Sequence, residues 1–146
     1  MAEKIGFIGL GAMGKPLALN LIKKGFSLWV YDIIEDKTKP LISEGAKACL
    51  SCKEVAERSS VVITILPGPP EVRAAVLGKE GVIEGIKPEA TLIEMSTIDP
   101  ITSREVAEVL KRKGVKMLDA PVARGVPAAV AGTLSIFVGG EKAVYD

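Results

Sequence analysis

Residues 3–25 read EKIGFIGLGAMGKPLALNLIKKG. An apolar run, Ile5 to Ile8, passes into Gly9-Leu10-Gly11-Ala12-Met13-Gly14 and then into an amphipathic stretch (Leu17, Leu21, Ile22) closed by Gly25. That is the pattern of a buried strand, a tight turn and a helix. Its three glycines have separate physical jobs. Gly9 permits the turn, Gly11 lets backbone approach a diphosphate, and Gly14 lets helix and strand pack closely. The free N–H groups and positive end of the helix then face the phosphates. Asp32, closing the next apolar run, supplies a carboxylate for the ribose hydroxyls of a dinucleotide such as NAD. A glycine-rich structural turn would account for the spacing, but not for strand, helix and acid together.

Working outward, apolar runs alternate with helical patterns along the whole chain. The sequence predicts strands near residues 4–8, 27–32, 46–49, 61–66, 91–95 and 115–118, with a seventh near 133–138. Helices are expected near 12–24, 37–44, 51–58, 69–77 and 101–112. Val61 to Leu66 is continuously apolar apart from Thr64, as a strand covered on both faces must be. Asp99-Pro100 offers an N-cap and an N1 proline, and Gly114 closes the helix they open. Pro16 and Pro40 fit only if each lies in a first helical turn. Strand and helix alternating this often imply right-handed crossovers and an α/β fold with a doubly wound, mostly parallel sheet of the Rossmann type. Residues 1–146 read as one dinucleotide-binding domain. Gly139 to Asp146 looks like a turn and the start of a helix too short to stand alone, so a longer protein is expected.

Composition narrows the function. With 48% hydrophobic and 25% charged residues the chain is globular, and its net charge of +1 has no lysine or arginine run to form a nucleic-acid footprint. No apolar stretch nears the ~20 residues that span a bilayer, and the first residues do not form a signal peptide. No membrane partner is therefore expected, and a cytoplasmic location is the default. The sequence has no histidine, which removes Ser-His-Asp triads and His metal ligands. It also has no glutamine and a single asparagine, Asn20, a depletion seen in proteins from hot environments. Cys49 and Cys52 have C-x-x-C spacing, and Ser51 as N-cap would put Cys52 at a helix N-terminus that favours a thiolate. Zinc would need two further ligands. Incidental thiols on a connecting segment are the favoured reading, a disulfide the alternative. Trp29 reads as a core residue rather than a ligand contact.

Three blocks together resemble the β-hydroxyacid dehydrogenase family, which includes 3-hydroxyisobutyrate dehydrogenase and tartronate semialdehyde reductase. They are residues 6–25, Glu94-Met95-Ser96-Thr97, and Leu118-Asp119-Ala120-Pro121-Val122-Ala123-Arg124-Gly125 continuing into Ala131-Gly132-Thr133-Leu134. Pyrroline-carboxylate reductases open with a like glycine block but are not expected to carry the third. The resemblance implies that Gly9, Leu10, Gly11, Ala12, Met13 and Gly14 hold the diphosphate and Asp32 the adenosine ribose. Leu66 and Pro67 would form the backbone edge on the adenosine side, and Thr97 would meet the nicotinamide half. NAD is expected in preference to NADP, because Asp32 repels a 2′-phosphate and Ile33 and Ile34 offer no arginine; Lys37 and Lys39 are the cations nearest in sequence.

The substrate loop departs from the family pattern. Members usually carry Ser-Gly-Gly where this chain has Ala123, Arg124 and Gly125, so the serine's hydrogen bond to substrate is lost. Arg124 brings a guanidinium fork suited to a carboxylate, sulfonate or phosphate. Sulfolactaldehyde reductase-like variants of the family carry arginine here, which implies an anionic aldehyde; the alternatives are pairing with Asp119 or exposure to solvent. The family's catalytic lysine and its helical, dimer-building second domain lie beyond Asp146, so no catalytic residue is assigned in this chain. The implied enzyme is a homo-oligomer exchanging hydride between NAD and a small 3-hydroxy acid or semialdehyde, and these residues alone are expected to be inactive. Rivals are a non-catalytic dinucleotide-binding or docking module, and another ligand such as S-adenosylmethionine.

Overall fold

The computed structural model describes residues 3–146. Six parallel strands form one sheet: β1 (Lys4–Ile8), β2 (Ser27–Tyr31), β3 (Lys47–Ala48), β4 (Val61–Thr64), β5 (Thr91–Glu94) and β6 (Lys116–Asp119). Their order is β3-β2-β1-β4-β5-β6, so the winding reverses between β1 and β4. The crossovers carry helices α1 (Gly14–Lys23), α2 (Lys39–Ser43), α3 (Cys52–Glu57), α4 (Pro69–Leu77), α5 (Val82–Gly85) and α6 (Pro100–Arg112). Pro16 and Pro40 both fall in first turns, where their missing N–H leaves no ladder bond unmade. Asp99 caps α6 by accepting from the Thr102 amide at 2.9 Å.

Side-chain alternation along each strand splits the core in two. Ile8, Val62 and Leu92 join Val55 of α3, Val72 and Val76 of α4, and Val106 and Leu110 of α6. Phe7, Val30 and Ile63 face the other way, with Ala18 of α1 and Leu41 of α2. A strand with apolar residues at consecutive positions is what burial on both faces requires. Gly6 shows how close the layers come: a Cβ there would lie 2.4 Å from the Val55 side chain.

Three differences from expectation concern short elements. Residues 35–38 form a 3-10 turn leading into α2 rather than one helix over 37–44. The seventh strand does not extend the main sheet. It is β8 (Ser135–Ile136), paired antiparallel with β7 (Val122–Ala123). Between them lies α7 (Gly125–Ala131), which the sequence reading missed, as it missed α5. Asn20 helps hold α7 to α1, its Nδ2 donating to Ala129 O at 2.8 Å. A final turn, α8 (Lys142–Tyr145), follows.

Candidate functional site

The turn after β1 is built as its glycines require. Gly9 has φ +99°, and a Cβ there would stand 2.1 Å from Ile65 O; at Gly14 it would stand 1.8 Å from Gly9 O. No residue but glycine fits either place without moving backbone. Gly11 is different, since nothing lies within 4 Å of where its Cβ would be. Its backbone is bare toward open space, as close approach by a ligand demands. No side chain caps the opening turn of α1 and no acid lies in it; the Lys15 amide donates to Gly11 O at 3.0 Å and Pro16 has no N–H, which leaves the Met13 and Gly14 amides for a ligand.

Asp32 stands just past β2 and connects this turn to the neighbouring strand end. One carboxylate oxygen accepts from the Leu10 amide at 2.8 Å and the other from the Ile34 amide at 2.8 Å. Each oxygen retains a further lone pair for a ligand hydroxyl. Above these groups opens a cleft of about 1020 Å³, which reaches the top of the usual ~300–1,000 Å³ range of small-molecule sites. Of the residues expected to meet the dinucleotide, Gly9, Gly11, Ala12, Met13, Gly14, Asp32, Leu66, Pro67 and Thr97 all line it. Leu10 does not. Its side chain is buried, and it takes part through its amide. The cleft lies over the C-terminal strand ends, at the β1/β4 reversal where open α/β sheets bind ligands.

The loop expected to meet substrate is less fully assembled. Gly125 lines the cleft, whereas Ala123 sits half-buried in β7 and Arg124 is exposed. Arg124 adopts φ 86°, the left-handed region, at the start of α7. Asp119 is not its partner: the guanidinium's one hydrogen bond is a long 3.5 Å contact to Thr133 O, and no ion pair reaches it among the described residues.

Several residues of the wall were not among those expected to contact the dinucleotide. Tyr31, Lys37, Ser51, Cys52 and Ser96 all line the cleft. Tyr31 precedes Asp32 directly and Ser96 precedes Thr97, so adjacency was the signal. Lys37 projects into this region, while Lys39 is tied to Asp36 at 2.8 Å. The two cysteines correct an expectation. Ser51 does cap α3, accepting from the Glu54 amide at 3.0 Å, yet Cys52 is not a stabilised thiolate. Both thiols are free and buried, and burial pushes Cys49 up to about 11 and Cys52 up to about 12. Trp29 is half-buried and packs against the core, with Lys47 and Arg58 over its ring at 4.9 and 5.2 Å.

A glycine turn, an uncapped helix start and a strand-end acid around one long cleft define a dinucleotide-binding domain of the doubly wound class. A family model described as the NAD binding domain of 6-phosphogluconate dehydrogenase matches residues 4–146, and the chain belongs to that family. It is 40% identical over 143 residues to 2-(hydroxymethyl)glutarate dehydrogenase of Eubacterium barkeri, covering 98% of this chain and 48% of that protein. Among solved structures, 3-hydroxyisobutyrate dehydrogenase of Mycobacterium tuberculosis with L-serine superposes with a TM-score of 0.93 at 33% identity, over 99% of this chain and 49% of that one. The structure titled Psf3 in complex with NADP+ and 2-OPP gives 0.92 at 26% identity, over 97% and 50%. The chain thus spans about half the length of the relatives it matches.

Proposed function

We propose that this chain binds NAD in the cleft and serves as the cofactor domain of a dehydrogenase acting on a small 3-hydroxy acid and its semialdehyde. The observation that carries this is Asp32, whose carboxylate is held by the Leu10 amide of the glycine turn while facing the cleft. In this reading the Gly9–Gly14 turn holds the diphosphate with the amides that follow Leu10, since those of Gly9 and Leu10 already donate to Tyr31 O and Asp32, and Asp32 accepts from the adenosine ribose. Leu66 and Pro67 border the adenosine side, and Thr97 borders the nicotinamide. When bound, the dinucleotide supplies hydride exchange with the substrate carbon. The proton donor is assigned to a lysine outside these residues. Exposed Val130, Phe137 and Tyr145 favour further protein over this end of the domain, in line with a second domain and a homo-oligomer.

NAD is preferred because a 2′-phosphate would meet the Asp32 carboxylate. Lys37, close in sequence to Asp32, lines the cleft and could offset this; Lys79 is the other lysine in the lining. Titrating the chain with NADH and NADPH, followed by nicotinamide fluorescence, should show NADH binding at least about tenfold tighter, ~1.4 kcal/mol. Tighter NADPH binding would refute the preference, and no binding of either would refute the whole reading.

Arg124 is assigned to an anionic group on the substrate, supported by its exposure and its lack of an acid partner. The name of the relative from Eubacterium barkeri is that of a dicarboxylic acid's dehydrogenase, which agrees with a second anion. In the full-length enzyme, Arg124→Ala should raise KM for an anionic substrate about tenfold or more, since a charge-assisted hydrogen bond contributes ~1.5–3 kcal/mol. An unchanged KM would end this assignment.

A further inference from the structure

Glu94 is a large, fully buried acid at the end of β5, and no ion pair reaches it among the described residues. Its carboxylate is held by hydrogen bonds alone. The Thr64 hydroxyl donates to Oε2, across the registered pair Thr64–Glu94 that joins β4 to β5. The Ser96 amide donates to Oε1 at 2.8 Å. Ser96 Oγ in turn accepts from the Leu66 amide at 2.8 Å, just where the β4 ladder has stopped. The chain of contacts therefore runs from one strand end through the acid to the other. Leu66, Pro67, Ser96 and Thr97 all line the cleft, whereas Glu94 does not.

An acid in this place is costly. Burial raises its proton affinity, and Asp119, registered against it on β6, raises it further. A leucine would fill the space without that penalty, as replacement of buried ionic groups by apolar ones commonly shows. What leucine cannot do is accept two hydrogen bonds in fixed directions.

We propose that Glu94 is a positioning residue for the cleft: through Thr64 and Ser96 its carboxyl group ties the end of β4 to the end of β5 and so fixes the Leu66-Pro67 edge relative to Thr97. Its consequence for cofactor affinity rests on the dinucleotide reading; the tie itself does not.

The test measures hydrogen exchange at the Leu66 amide and NADH affinity in the same variants. Glu94→Leu and Ser96→Ala should each speed Leu66 exchange and weaken NADH by about tenfold, the scale of one hydrogen bond to a charged group. The double variant should be no worse than either single, because the contacts each removes are links of one chain in series, and one break severs it. Glu94→Gln keeps an acceptor for Ser96 and a partner for Thr64, and should restore both readouts to within about twofold of the parent. If Glu94→Leu does not fold, Thr64→Val takes its place, severing the β4 end while leaving the acid. Unchanged Leu66 exchange in Glu94→Leu or Thr64→Val, or multiplicative losses in the double variant, would overturn the proposal. Should the parent chain bind no NADH, the dinucleotide reading falls while the exchange data still judge the tie.

Discussion

Arg124 occupies a backbone conformation that an L side chain enters at a cost of about 1–2 kcal/mol. Glycine would relieve that strain but lose entropy of about 0.5–1 kcal/mol. Arg124→Gly should therefore unfold in urea at a free energy about 1 kcal/mol higher than Arg124→Ala, which keeps the strain and loses the guanidinium. Equal values would mean the loop adjusts freely. The family's glycine at this position thus has a structural reason, and the arginine is tolerated against it; the anion-binding role proposed above is a use that would offset the strain. Gly14 lies at the opposite extreme. Its added Cβ would meet backbone, not a movable side chain, so Gly14→Ala should cost about 3 kcal/mol in the same measurement. At this scale the sequence was readable wherever sterics alone decide, as at Gly9 and Gly14. It was silent on Glu94, because an acid at a strand end looks like any surface acid until its neighbours are known.

Among the elements, α3 and α6 were the most legible because a capping residue marks each start, whereas the short α5 and α7 have no capping side chain and were missed. Asp99-Pro100 and Ser51 announce α6 and α3, and both side chains do accept from the third residue onward. Glu54 also reaches back to accept from the Leu50 amide at 2.6 Å, one residue ahead of the cap, which fixes the chain's entry into α3. Ser51→Ala should lower stability by about 1 kcal/mol, read from the denaturation midpoint, and a shift under a few tenths would show the cap to be idle. By contrast α7 begins at a strained arginine and carries Pro127, with no capping side chain. Its proline sits in the first turn, and the helix is held from outside by Asn20 of α1. The seventh strand failed for a related reason. Two residues of β8 find their partner in β7, and β7 is too short to be seen as a strand by pattern.

Across the whole molecule, the packing of helices on one face of the sheet buries both thiols, Cys52 at the wall of the cleft. Both cysteines belong to the core facing α3, and their ordinary value of 9.0 rises to about 11 and about 12. The folded state thus holds these protons more tightly than the unfolded one. Their contribution to stability is complete below about pH 9 and is lost as pH rises toward 12. Urea titrations between pH 8 and pH 11 should show stability falling, and less steeply in the Cys49→Ala/Cys52→Ala variant; identical slopes would place the effect elsewhere. Native thiols should also react slowly with an aromatic disulfide reagent and both should react at once on unfolding.

The sequence by itself determined the alternation of strand and helix, the glycine turn and its acid, because each follows from steric and periodic rules acting over a few residues. The order of the strands, the joining of Asp32 to the Leu10 amide, the burial of Cys52 and the tie at Glu94 were decided only in the tertiary structure. Each of these depends on which strand ends become neighbours, and that is set when the sheet is wound and water leaves both of its faces.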